Sequence, residues 1–162
     1  MAHFFMTWHA QALPGYVLPE SYALRTYRPG DEADWLRCCN GGGLGTESWT
    51  AQDFAREMLG KPGVTPERIF FAVDAQGRIG ATATAVCQPD QGYVHMVAAD
   101  SAYRGKTLGK AVCHAVMQYL TACGYDKIVL ETDDWREPAI RVYEWLGFTR
   151  DEAAEDKQTE EK

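Results

Sequence analysis

Within eight residues, Tyr103-Arg104-Gly105-Lys106-Thr107-Leu108-Gly109-Lys110 places three cations and two glycines at the start of a helical pattern. Glycine lets backbone approach a ligand closely, and the free amides of a first helical turn favour an anion. The pattern after it, Leu108, Val112, Ala115, Val116, Tyr119 and Leu120, has the three-four spacing of one apolar helix face. Before it, Tyr93 to Ala99 reads as a short, largely apolar strand. A basic glycine turn between strand and helix suits a phosphate or pyrophosphate; the same turn also serves as a capped, solvated surface loop. No G-x-x-x-x-G-K-[ST] occurs, and no G-x-G-x-x-G opens a helix with an acidic residue at the ribose distance, which excludes two common phosphate loops.

A second group of reactive side chains lies on either side of that helix. His95 falls in the strand before it, and its ordinary pKa near 6.5 suits a base as well as a hydrogen-bonded core histidine. Glu131 falls in the strand Lys127 to Thr132, where a buried carboxylate serves as a base, a substrate anchor or a structural acceptor. Asp133 and Asp134 follow and either cap the last helix or attract a cation, while Arg136 either pairs with them or reaches a phosphate. Tyr143 shares a helical face with Ile140 and Leu146, which by itself describes a packing residue.

The turn Arg104 to Gly109 resembles the acetyl-CoA loop of the GNAT superfamily of acyl-CoA N-acyltransferases, [QR]-x-x-G-x-[GA], with Thr107 where the central glycine usually stands. Downstream, Glu131 to Phe148 is similar to the family's closing strand, loop and helix, ending in A-x-x-x-Y-x-x-x-G-F, with Arg136 where many members carry Asn. The resemblance covers roughly residues 22 to 148. It implies a mixed, mostly antiparallel α/β sheet (α+β type), flanked by about four helices, with a central parallel strand pair splayed at the CoA cleft. It further implies acetyl-CoA as acyl donor, held by Val97, Ala98, Ala99, Arg104, Gly105, Lys106, Thr107, Leu108, Gly109, Lys110 and Arg136, with a backbone amide near Met96 to Ala99 facing the thioester carbonyl. Tyr143 takes the place of the family's general acid, and Glu131 and His95 are candidate bases. Glu47, Trp49 and Trp135 are candidates for the acceptor wall. The implied activity is acetyl transfer to an amine; a non-catalytic acyl-CoA sensor or scaffold of the same fold is the alternative. A structural interaction domain with an unused cleft is a further one.

The rest of the chain must position these groups. Its 162 residues, with 46% hydrophobic and 24% charged, suit one globular domain. The net charge of -7 argues against nucleic acid or an anionic membrane and suits a cationic small substrate better; the resemblance implies a small-molecule or peptide amine as acceptor, with a homodimer compatible. Five cysteines without C-x-x-C spacing suggest neither a disulfide framework nor a metal site, and point to a reducing cytoplasm. Cys113 and Cys123 read as core or near-core. No export signal or membrane-length apolar run is present.

Residues 1–20 read as an irregular arm whose aromatics dock on the domain, residues 21–150 as the transferase domain, and residues 151–162, with six acids and two lysines, as a disordered acidic tail. Helices are expected from about Glu32 to Asn40, capped by Asp31, and from Thr50 to Leu59, with Thr50 and Asp53 in a capping-box relation. The glycine run 41–45 between them reads as a flexible connection. Three strands from Ile69 to Ala99 form a meander, and the helical crossover makes Lys127 to Thr132 parallel to its predecessor. After Phe148 the sequence holds no buried strand, so the sheet either ends one strand early or another segment completes it.

Overall fold

A computed structural model describes residues 3–41, 48–103 and 107–151. The strands are β1 (His3–His9), β2 (Ala23–Thr26), β3 (Ile69–Val73), β4 (Ile79–Cys87), β5 (Gly92–Ala99), β6 (Lys127–Asp133) and β7 (Thr149–Arg150). The α-helices among the described residues are α1 (Glu32–Gly41), α2 (Ala51–Phe54), α3 (Leu108–Ala122) and α4 (Glu137–Leu146). They form the expected α/β domain, with one sheet in the order β2-β3-β4-β5-β6-β1-β7. Only β5 and β6 run parallel, as the α3 crossover requires.

Alternation along the strands divides the core in two. On β3, Ile69, Phe71 and Val73 face a cluster with Trp35, Phe54 and Met58 of the first helical region. Phe70 and Ala72 face the opposite side, where Val112, Val116 and Leu120 of α3 pack with Tyr143 and Leu146 of α4. Thr50 and Asp53 complete the predicted capping box, but only α2 is α-helical; Ala55–Leu59 continues in a π-helical turn. Gly147 closes α4 with φ +110, a conformation that glycine adopts without Cβ strain.

Two sequence expectations are corrected here. His3–His9 is a strand rather than an irregular arm: Phe4, Met6 and Trp8 are buried in the α3–α4 core, and the segment pairs with β6 from His3↔Asp133 to His9↔Lys127. It lies between β6 and β7, so the missing strand of the sheet comes from the N-terminal segment. Thr149–Arg150 adds only an exposed two-residue edge. Cys123, expected near the core, is exposed at the end of α3, whereas Cys38, Cys39 and Cys113 are buried; all five cysteines are free. The tail from residue 152 and residues 42–47, which include most of the glycine-rich run and Glu47, lie outside the described residues. Among the described residues, no helix is long and apolar enough to cross a membrane.

Candidate active site

β5 and β6 pair only at Gly92↔Ile128 and Tyr93↔Val129, and then separate. Two features accompany the separation. On β5 the register with β4 shifts between Thr82 and Thr84, placing one extra residue on β5, and Met96 at the bulge has φ +54. Such a bulge bends its strand and re-aims backbone groups. On the β6 side, Arg136 starts α4 and donates from Nη2 to the Val97 carbonyl at 2.9 Å, filling part of the gap. The separation exposes the β5 edge beyond Tyr93 and produces two cavities.

The larger cavity, about 510 Å³, runs from Val97, Ala98 and Ala99 across the start of α3 to Pro138, Ala139 and Val142 of α4. Thr107, Leu108, Gly109, Lys110 and Arg136 line it as well, so eight of the eleven proposed cofactor residues meet here. Arg104, Gly105 and Lys106 lie outside the described residues. Thr107 stands at the N-cap with φ 59, and its side chain makes no cap bond to the first turn of α3. A Cβ built on Gly109 would meet nothing within 4 Å, so there is open space at this helix end. By contrast, a Cβ on Gly80 of β4 would approach Leu108 Cδ1 to 2.7 Å and Tyr103 Cγ to 2.9 Å, so that glycine permits the seating of α3 on the sheet. The start of a fifteen-residue helix beside an open strand edge fits a phosphate-bearing ligand with a peptide-like arm. Lys110 is already engaged, with Nζ 4.0 Å from the centre of the Trp145 ring.

Asp100 anchors the end of β5 beside this cavity, accepting from Arg37 Nε at 2.6 Å and from the Ala102 amide at 3.0 Å. Burial pushes its carboxyl upward, but the Ala102 amide and the Arg37 guanidinium outweigh it and hold Asp100 below the usual carboxylate range.

The smaller cavity, about 190 Å³, is lined by His3, Tyr93, His95, Glu131 and Asp133, and it shares Val97, Trp135, Arg136 and Tyr143 with the larger one. All three proposed catalytic residues therefore lie on this side, and Tyr143 stands at the junction. Burial pushes the Tyr143 phenol well above its ordinary value, so it stays protonated at neutral pH. His95 is half-buried, and its Nε2 is buried with no partner among the described residues; burial, then the Lys61 charge, lowers its pKa to about 4. It is neutral at pH 7 and a weak base.

The structure revises the sequence reading of Glu131. It is neither buried nor unpartnered: its side chain is 39% exposed and accepts from Tyr93 Oη at 3.0 Å, while His3 Nε2 lies 2.7 Å from its second oxygen. Asp133 pairs with His3 Nδ1 at 2.9 Å, and its carbonyl accepts from the Arg136 amide at 3.0 Å at the start of α4. Arg136 bonds to the Val97 carbonyl, a partner absent from both of its sequence readings. Trp135 lines both cavities, whereas Trp49 packs edge-on against Trp35 at 6.0 Å and lines neither. His3 and Tyr93 belong to the site without having been singled out. Tyr93 lies in the expected strand, but His3 reaches the site only through the β1–β6 register.

A mixed sheet opened between two parallel strands, with the start of a fifteen-residue helix at one end of the opening, defines the class of fold expected of an acyl-CoA transferase domain. The profile of the acetyltransferase (GNAT) family matches residues 32–148, and the chain belongs to that family. It is 35% identical to a mycothiol acetyltransferase of Thermobispora bispora over 85% of this chain and 50% of that one, so it spans about half the length of such relatives. A GCN5-related N-acetyltransferase from Sphaerobacter thermophilus superposes with TM-score 0.78 at 22% identity, over 92% of this chain and 48% of the other. The NatC complex bound to Gag peptide and CoA contains a chain that superposes with TM-score 0.69 at 21% identity, covering 81% and 86% of the two. These two likenesses bear on the fold.

Proposed function

We propose that the protein is an N-acetyltransferase that moves an acetyl group from acetyl-CoA to an amine by direct attack on the thioester. The observation that carries this reading is the meeting of a larger and a smaller cavity at Tyr143, in the opening between β5 and β6. Acetyl-CoA, when bound, supplies an activated acyl carbon and a thiolate leaving group. The α3 first turn would hold its phosphates, with the exposed β5 edge beside Val97 to Ala99 receiving the peptide-like arm. Backbone amide at the β5 bulge would stabilise the oxyanion; losing one such donor typically costs about 3 kcal/mol of barrier. Glu131, which lines the smaller cavity and opens to solvent, would take up the proton leaving the amine. Tyr143 would return a proton to sulfur. Free cysteines, three of them buried, support placing the protein in a reducing cytoplasm.

Release of free thiol from acetyl-CoA across an amine panel tests the reading. Saturable, amine-dependent release is expected. CoA binding without turnover on any amine would favour the sensor alternative, and no binding of either CoA or acetyl-CoA would end both.

Arg136→Ala should raise the acetyl-CoA KM about tenfold with a smaller loss of kcat, the size expected when one charge-assisted hydrogen bond is removed. The guanidinium holds the Val97 carbonyl and so fixes the β5 edge against which the donor lies. A fall in kcat at constant KM would place Arg136 in the chemistry instead.

A further inference from the structure

His3 contacts both carboxylates of the smaller cavity, Nε2 to Glu131 at 2.7 Å and Nδ1 to Asp133 at 2.9 Å. A neutral imidazole has one N–H and can donate to only one of them; an imidazolium donates to both. The bond to Glu131, then that to Asp133, raises the His3 pKa above 6.5 despite partial burial. Glu131 also receives the Tyr93 hydroxyl, so this carboxylate is held from β1 and β5 together. The other titratable groups lining the cavity are Arg136, His95 and Tyr143. Of these only Arg136 is charged at neutral pH, since burial keeps His95 unprotonated and Tyr143 protonated. With His3 protonated, two cations therefore balance two carboxylates. With His3 neutral, the cavity carries one net negative charge.

Resting on the transferase reading above, we infer that His3 is a specificity-determining residue, occupying the place that a second cationic group of the acceptor would take between Glu131 and Asp133. The preferred acceptor is then a monoamine whose remainder carries no positive charge. A diamine finds its second ammonium's partners already paired, and it gains when His3 loses its proton or is replaced. The side chains of His3, Glu131 and Asp133 are 49%, 39% and 40% exposed, which keeps the effect modest because exposed ion pairs are screened.

Cadaverine and aminopentanol, of equal chain length, provide the test, first by calorimetric binding to the protein and then as acetyl acceptors. His3→Ala should shift the affinity ratio toward cadaverine by about fivefold, the upper range for an exposed charge pair. His3→Lys, which keeps a cation there, should preserve the wild-type ratio. In the wild type the ratio should move toward cadaverine as pH rises through the His3 pKa, and in His3→Lys it should stay flat. The acetyl-CoA KM should be unchanged in every variant. An unaltered ratio in His3→Ala, an equal shift in His3→Lys, or no measurable cadaverine binding to His3→Ala would each overturn the inference. The expected binding pattern without acetylation of either amine or of the wider panel would instead reject the transferase reading and leave the role of His3 standing.

Discussion

Tyr143→Phe should reduce turnover about a hundredfold or more while leaving acetyl-CoA affinity and thermal stability nearly unchanged, the usual cost of losing a general acid. The tyrosine is 2% exposed within the α3–α4 core, and its ring meets Phe148 edge-on at 6.2 Å. Phenylalanine keeps that ring and its contacts and removes only the hydroxyl. Burial, then nearby Cys113, raises the phenol, and Arg136 partly opposes them. A raised pKa makes Tyr143 a weaker acid, but the same dry cavity raises the basicity of a departing thiolate, so proton transfer between the two remains feasible. The sign of the pH dependence follows. An acid must be protonated to act, so the step is available below the folded-state pKa, and no loss of kcat from Tyr143 should appear as pH rises toward the ordinary phenol value near 10. A Tyr143→Phe variant with full kcat would leave water as the proton donor and Tyr143 as a packing residue.

The parts of this site that were legible in the sequence are those written in contiguous residues. The start of α3, with Gly109 and Lys110, lies beside the larger cavity, and the helix from Pro138 to Gly147 carries Tyr143 to the junction. Each depends on local spacing, which helix geometry converts directly into a shared face. Glu131 was placed on the right strand but in the wrong environment, because its partners come from two other strands. His3 lies 128 residues away in sequence, and Tyr93 lies 38 away. Such contacts depend on strand order, and no local pattern announces that order.

The N-terminal strand was missed for a related reason. Its alternation was present, with Phe4, Met6 and Trp8 inward and His3, Thr7 and His9 outward, but Phe5 interrupts it on the outward face at 37% exposure. The prolines and glycine from Pro14 to Pro19 then favoured an irregular reading of the whole segment. The absence of a buried strand after Phe148 was read correctly and was the better clue, since a sheet of this kind leaves β6 without a neighbour unless another segment supplies one.

Trp8→Ala should cost about 3–5 kcal/mol, the range for truncating a buried tryptophan, and at this chain length that corresponds to roughly 10–15 °C in Tm. Trp8 is 2% exposed, pairs across from Ile128, and belongs to the cluster that supports α3 and α4. It lines neither cavity, so below its new melting point the variant should retain the wild-type acetyl-CoA KM. Its indole Nε1 is buried without a partner among the described residues. Trp8→Phe removes that unsatisfied donor along with some volume, and the two effects oppose each other, so its loss should stay under about 1.5 kcal/mol. The ordering separates packing from mere attachment: a docked arm would tolerate both substitutions, whereas a strand between β6 and β7 tolerates only the aromatic one. Thermal or denaturant unfolding of the two variants measures this directly. Equal, small losses in both would mean that His3–His9 contributes little to the core, and the position of His3 at the smaller cavity would lose its structural support as well.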